Sequence, residues 1–292
     1  MPTRTRAPRA GTPAVLAALA ALALLPLLAR PAEAQRRDRD RERDRRSWAE
    51  RCEDNDWGDD NRARHCETRA LGARGAAIAG RTLRIDGGGN GGVEVEGWDR
   101  DSVDVQANIG VTARTEEDAA EIARAITVEL KDGVLSADGP ASRRGASWWV
   151  SFDVRVPRAT NLDVESSNGP VSVAAVRGRM DLRTSNGPLT LSDVAGEVRG
   201  RTSNGPVYVR LAGSRWEGEG LDVSTSNGPI DLIVPADYAA HLVTGTVNGP
   251  IRIDFPVTVQ GRIDKRIETD INGGGKTVRV VTTNGPVDVR RR

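Results

Sequence analysis

One short phrase recurs through the second half of the chain. Thr184-Ser185-Asn186-Gly187-Pro188 returns at Thr202 to Pro206 and at Thr225 to Pro229, with variants at Ser166 to Pro170, Thr246 to Pro250 and Thr282 to Pro286. The asparagines fall at 168, 186, 204, 227, 248 and 284, so successive spacings are 18, 18, 23, 21 and 36, the last being twice 18. A period near 20 residues is the mark of a solenoid and outranks any local reading.

Aligning the copies on each asparagine makes columns. Three places after it stand Val171, Leu189, Val207, Ile230, Ile251 and Val287; five places after stand Val173, Leu191, Val209, Leu232, Ile253 and Val289. Between them lie Ser172, Thr190, Tyr208, Asp231, Arg252 and Asp288. Six places before it come Leu162, Met180, Val198, Leu221, Leu242 and Val278. Each copy therefore carries one strand before the turn and one after, each with one apolar face.

Two places before the asparagine the column is Ser166, Thr184, Thr202, Thr225, Thr246 and Thr282. In stacked parallel coils identical side chains lie about 4.8 Å apart and can hydrogen-bond along the stack. The expected role of Asn168, Asn186, Asn204, Asn227, Asn248 and Asn284 is thus a structural ladder at a corner. Asn and Gly are expected there because a sharp corner calls for left-handed backbone, and Pro because it has no N–H to place. Calcium-binding repeats would need acids in the turn, and Ser-Asn-Gly-Pro has none.

The predicted fold class is all-β: a β-solenoid of stacked parallel coils with one short helix and a disordered N-terminal region. Arg4, Arg6 and Arg9, an apolar run from Ala14 to Leu28 and the small-residue site Ala32-Glu33-Ala34 read as a secretory signal peptide over residues 1–34, too short for a good membrane span. The mature chain is expected to start near Gln35 without a membrane span. Residues 35–47 mix charges without an apolar side chain and read as a disordered spacer. With residues 48–80, which hold Cys52 and Cys66, they form a segment 35–80. Two cysteines in an exported chain read as one disulfide.

Residues 81–157 form an N-terminal β section. Val93, Val95, Val103 and Val105 alternate with polar residues, a helix is expected over 116–126 behind Thr115 as N-cap, and a long strand runs from Trp148 to Val156. Residues 158–292 are the repeat solenoid. The three arginines at Arg290 to Arg292 read as charge protection of an exposed sheet edge.

These pieces together resemble a bacterial family of exported β-solenoid proteins that carries the label "putative adhesin" and is a domain of unknown function. The matching residues are Val93-Glu94-Val95-Glu96-Gly97-Trp98-Asp99, the short helix, Val154-Arg155-Val156-Pro157, the Ser/Thr-Asn-Gly repeats and Ile233-Val234-Pro235-Ala236. The match spans roughly residues 81–292. The resemblance implies that the solenoid is a single-stranded right-handed parallel β-helix, implies no catalytic residues and raises binding above catalysis.

Motifs with chemical meaning are few. Gly87 to Gly92 satisfies G-x-G-x-x-G but is followed by strand-like Val93-Glu94-Val95 rather than the helix a dinucleotide needs, and Asn90-Gly91 reads as one more corner. Gly273-Gly274-Gly275-Lys276-Thr277 has Asp270 where a phosphate loop needs its first glycine. The acidic run Glu53 to Asp60 lacks the closing Glu of an EF-hand. His65 and His241 are far apart and make no cluster with cysteine or serine partners, and no metal or cofactor is expected. Five places before each asparagine stand Asp163, Asp181, Arg199, Asp222, Val243 and Arg279. These could be an acid/base cluster of a polysaccharide lyase or glycosidase-like β-helix enzyme; a solvated face of weak ion pairs is the simpler reading.

The aromatics are the better lead. Parity along the strands points Trp98, Trp149 and Tyr208 outward, and Trp216 falls in the one coil lengthened to 23 residues. Exposed aromatic faces suit sugar rings or anchor a protein partner. The expected function is a non-enzymatic, adhesin-like binding module or envelope scaffold, periplasmic, secreted or at the cell surface, with polysaccharide or a surface protein as partner. The net charge of +1 argues against nucleic acid. A polymerising structural solenoid is the remaining alternative.

Overall fold

The computed structural model describes residues 48–53, 62–74, 81–255 and 265–292. The residues read as signal peptide and charged spacer, and most of the acidic run, lie outside them. In chain order the elements are α1 (Trp48–Glu53), β1 (Ala63–Arg74), β2 (Thr82–Asp86), β3 (Val93–Trp98), β4 (Ser102–Ala113), α2 (Glu116–Ala125), β5 (Thr127–Lys131), β6 (Val134–Asp138) and β7 (Ser147–Pro157). The repeats follow as strand pairs: β8 (Asn161–Ser166) with β9 (Val171–Ala174), β10 (Arg177–Thr184) with β11 (Leu189–Ser192), β12 (Ala195–Asn204) with β13 (Val207–Arg210), β14 (Gly220–Asn227) with β15 (Ile230–Val234), and β16 (Ala240–Asn248) with β17 (Ile251–Ile253). Then come β18 (Arg266–Ile271), β19 (Thr277–Asn284) and β20 (Val287–Arg291).

Among the described residues the chain is all-β apart from two short helices, one more than expected. α2 starts as predicted: the Thr115 hydroxyl accepts from the Asp118 N–H at 3.1 Å, and three acids fill the first turn. The extra helix, α1, carries Cys52, which is disulfide-bonded to Cys66 on β1.

The strands form two ten-stranded sheets. The first runs β1-β4-β7-β3-β9-β11-β13-β15-β20-β17 and the second β18-β16-β19-β14-β12-β10-β8-β2-β6-β5. One strand before each turn goes to one sheet and one after it to the other, as the columns require. The apolar columns face inward: Leu162, Met180, Val198, Leu221, Leu242 and Val278 are each at most 2 % exposed.

The sheets are nevertheless mixed, and the fold is not a single parallel helix. β1, β4 and β7 pair antiparallel, as do β5 with β6 and β16 with β18. Most of the antiparallel pairs precede the repeat, where the chain leaves β4 through α2 and the β5–β6 hairpin and returns along β7 in the opposite sense; β18 lies between two copies of the repeat and carries no Asn-Gly-Pro turn of its own.

The order of the coils also departs from the sequence. β19 pairs with β14 on one side and β16 on the other, and β20 with β15 and β17. The final coil is therefore an insert, not an end. Its arginines guard no edge: Arg290 forks onto Asp231 of β15, and the Arg292 N–H donates to the Val234 carbonyl at 3.0 Å.

At the corners, the asparagines ladder. Each side-chain amide donates to the Oδ1 of the coil before it, along 168-to-90, 186-to-168, 204-to-186, 227-to-204, 284-to-227 and 248-to-284, at 2.7–3.0 Å. Asn90, in the Gly-rich turn, begins the row. The buried hydroxyls do something else: Thr184, Thr202 and Thr225 each donate to the corner glycine carbonyl of the preceding coil at 2.9 Å rather than to one another.

Glycine is needed there for proximity rather than for a left-handed turn: of the corner glycines only Gly285 has a positive φ. A Cβ on Gly187 would lie 2.1 Å from the Gly169 carbonyl oxygen, and one on Gly205 as close to that of Gly187. The ladder asparagines have no positive φ. Left-handed backbone occurs instead at the opposite corner, at Ala175 (φ 57°) and Asp193 (φ 52°).

Candidate functional site

The outer face of the first sheet gathers most of the residues of interest. β7 alternates strictly from Val150: Val150, Phe152, Val154 and Val156 are buried, while Asp153 and Arg155 are exposed. Trp149 therefore lies on the outer face, opposite Gly110 of β4. A Cβ on Gly110 would meet Cζ2, Cε2 and Cη2 of Trp149 at 2.2, 2.4 and 2.8 Å. Three such similar distances place the glycine under the face of the benzo ring. The indole thus lies flat on the sheet, half-buried, and its other face is turned away from the strand. Trp149 also borders a cleft of about 150 Å³ with Trp148, Ser142 and the Gly87–Gly91 turn.

Tyr208 shares this outer face. It is 45 % exposed, with Thr190 and Asp231 as its registered neighbours. Trp98 is outward but engaged: its indole N–H donates to the Ser102 carbonyl at 2.9 Å, and the guanidinium groups of Arg100 and Arg155 sit over the ring, 4.9 and 5.8 Å from its centroid. Trp216 offers no open face. It is 4 % exposed, packs in the core and donates its N–H to the Gly196 carbonyl at 2.9 Å. The lengthened coil folds its indole inward because the glycines around it leave room and the stacked backbone supplies an acceptor.

Between Trp98 and Trp149 lies a depression of about 230 Å³ that the sequence did not reveal. Glu94 and Glu96 of β3, Asp104 and Gln106 of β4, and Asp153 and Arg155 of β7 line it. Glu94 sits opposite Asp153. Partial burial, then the charges of Asp153 and Glu96, push its carboxyl above the ordinary range. Asp153 accepts from Asn108 Nδ2 at 2.8 Å, and Arg155 approaches Glu96 at 3.7 Å. The alternation of Glu94 and Glu96 was visible; the register that brings three strands together was not.

The second sheet's outer column is laced with ion pairs. Arg183 bridges Asp163 and Asp181, Arg199 and Arg179 share Glu197, and Arg279 meets Asp222 at 2.5 Å. These charges are spread along the face. His241 stands at its end with Nδ1 2.7 Å from Asp270 and Nε2 3.1 Å from Glu268; those two hydrogen bonds, Asp270 first, raise its pKa. Among the described residues no three His, Cys, Asp or Glu converge in a metal-binding arrangement.

The family model described as Toastrack DUF4097 matches residues 97–290, about two thirds of the chain. The chain belongs to the Toastrack DUF4097 family. Strands β4 to β20 lie in the matched span, and so do Trp149, Tyr208 and the six repeats, whereas Glu94 and Glu96 precede it. No curated protein matches the chain. Among solved structures it is similar to a putative cell adhesion protein from Clostridium sporogenes, at 10 % identity and TM-score 0.45, over 78 % of this chain and all of that one. It is also similar to a putative adhesin from Bacteroides fragilis, at 13 % identity and TM-score 0.39, over 78 % and 97 %. A putative lipid binding protein from Parabacteroides distasonis follows at 10 % identity and TM-score 0.32, over 77 % and 96 %.

Proposed function

We propose that this Toastrack DUF4097 protein is an exported, non-enzymatic binding module of the bacterial cell surface, adhesin-like, with polysaccharide as its partner. The observation that carries the reading is Trp149 lying flat on Gly110. An indole fixed against a sheet loses little freedom when a sugar ring stacks on its open side. Tyr208 adds a second aromatic on the same face. A polar row leads across the same sheet to Tyr208, with Ser172 and Thr190 at registered positions between Glu94 and Tyr208. Such a wall suits an extended partner.

The test is retention of the chain from Gln35 to Arg292 on insoluble polysaccharides and purified bacterial envelopes, with the supernatant assayed for released sugars. Retention without product, weakened by W149A and Y208A, is expected. No retention on any surface would overturn the reading.

One observation favours a second reading, a glycosidase-like enzyme: the carboxylates of Glu94, Glu96, Asp104 and Asp153 converge in one depression, and Glu94 holds its proton to higher pH than an ordinary glutamate. Carboxylates gathered in this way, one of them with a raised pKa, suit acid/base chemistry on a glycosidic bond. Released sugar that disappears in E94Q would establish this reading in place of the first.

A further inference from the structure

The final coil sits in a slot formed by elements remote from it in sequence. Asn284 ladders on Asn227, 57 residues away, and receives from Asn248, 36 away. Arg279 pairs with Asp222 across 57 residues, and Arg290 with Asp231 across 59. The Thr282 hydroxyl donates to the Gly228 carbonyl at 3.0 Å, across 54. The coil follows β18 through one short turn, in which Asn272, Gly273 and Gly274 have φ of 46°, 90° and 78°. None of these contacts depends on coil and slot belonging to the same chain.

The two walls of the slot are also alike. β14 and β15 present Leu221, Thr225, Asn227 and Ile230 to it; β16 and β17 present Leu242, Thr246, Asn248 and Ile251 in the same register. They could close directly on one another, which is the order the sequence runs in. The inserted coil displaces that arrangement because it is the better core. Val278, Val280, Val287 and Val289 are each at most 1 % exposed, whereas β16 buries the Thr244 hydroxyl without a partner and Ile251 and Ile253 are only half-buried. A coil that emerges after β16 and β17 must therefore enter between strands already made. Until it does, the same coil from another molecule competes for the slot.

We infer that the final coil, Thr277–Arg291, is an exchangeable insert whose partner is a second copy of this chain. Reciprocal exchange closes a dimer; one-way exchange leaves a slot and a coil free and grows a linear assembly. The inference is independent of the ligand proposed above.

Ser224 of β14 and Val281 of β19 are registered partners on the outer face. Chains carrying S224C alone and V281C alone are unfolded together, refolded and oxidised. The expected product is a heterodimer joined through those two positions, and its ratio to monomer rises about tenfold for each tenfold increase in concentration, by mass action. The doubly substituted chain should close the same bond within itself at the lowest concentration. Heterodimer no more abundant than the S224C and V281C homodimers at every concentration, with the double variant closing normally, would overturn the inference. Should the substituted chains not refold, 15N-labelled and unlabelled chain refolded together decides it by native mass spectrometry: mixed-isotope dimers support exchange, and monomer alone overturns it.

Discussion

The Nδ2 of Asn284 lies 2.7 Å from the Oδ1 of Asn227, 57 residues earlier, and the Nδ2 of Asn248 donates in turn to Asn284. The amide row therefore passes through the final coil before it reaches the one that precedes it in sequence. All six links point the same way, and a chain of aligned amides strengthens each member.

An interior rung should matter more than a terminal one. N204A removes a donor to Asn186 and an acceptor for Asn227, while N248A removes only one rung. The interior change is expected to cost about 1–2 kcal/mol and the terminal one about half of that. Urea unfolding of both variants checks it; equal losses would mean that the rungs act independently of position.

The corner glycines are predicted to be the least tolerant sites in the repeats. G187A drives a methyl to within 2.1 Å of the Gly169 carbonyl oxygen, backbone that cannot step aside without opening the stack. A loss of roughly 3 kcal/mol is expected in the same unfolding experiment. A substitution at Gly213, where nothing lies within 4 Å of the added Cβ but φ is +73°, should cost about 1 kcal/mol from backbone strain alone.

Thr244 offers a gain. Its hydroxyl is buried without a hydrogen-bond partner in a column that otherwise holds Val164, Leu182, Gly200, Val223 and Val280. T244V keeps the shape and removes the unmet polar group, so it should stabilise the fold by about 1 kcal/mol. A fall in the melting temperature would show that the hydroxyl has a partner after all.

His241 ties β16 to the edge strand β18 through Asp270 and Glu268. With a carboxylate oxygen at each ring nitrogen, only the imidazolium can donate to both. Its pKa is raised above the ordinary value of 6.5, so the stabilisation is complete below about pH 6.5 and is lost as pH rises through the higher folded value. An NMR titration of the ring proton should give a midpoint above 6.5, and H241Q should remove the pH dependence from β18. A midpoint at or below 6.5 would refute it.

Much of the fold was legible because the repeat exposes its columns. The inward Val, Leu and Ile positions, the asparagine row and the N-cap at Thr115 follow from spacing and from what each side chain can bond. Coil order was hidden for the same reason: Thr246-Val247-Asn248-Gly249-Pro250 and Thr282-Thr283-Asn284-Gly285-Pro286 fit the same neighbours, and the lone hydroxyl at Thr244 and the salt bridges from Arg279 and Arg290 that tell them apart show only once the coils are stacked. Trp216 was misread because a glycine-rich bulge has no strand parity to say which way its indole turns. Trp149 was read correctly as outward, but its support is Gly110, 39 residues away, and no local pattern joins the two.

The coil order rests on one comparison of cysteine pairs. Asp231, Asp288 and Arg252 stand side by side on the outer face of β15, β20 and β17, with Asp288 in the middle. At low protein concentration, D231C/D288C should oxidise to a disulfide within the chain, because neighbouring strands are about 4.8 Å apart. D231C/R252C spans two strands, about twice that distance, and should stay reduced. Closure of D231C/R252C with D231C/D288C left open would mean that the coils stack in sequence order and that the final coil is not an insert.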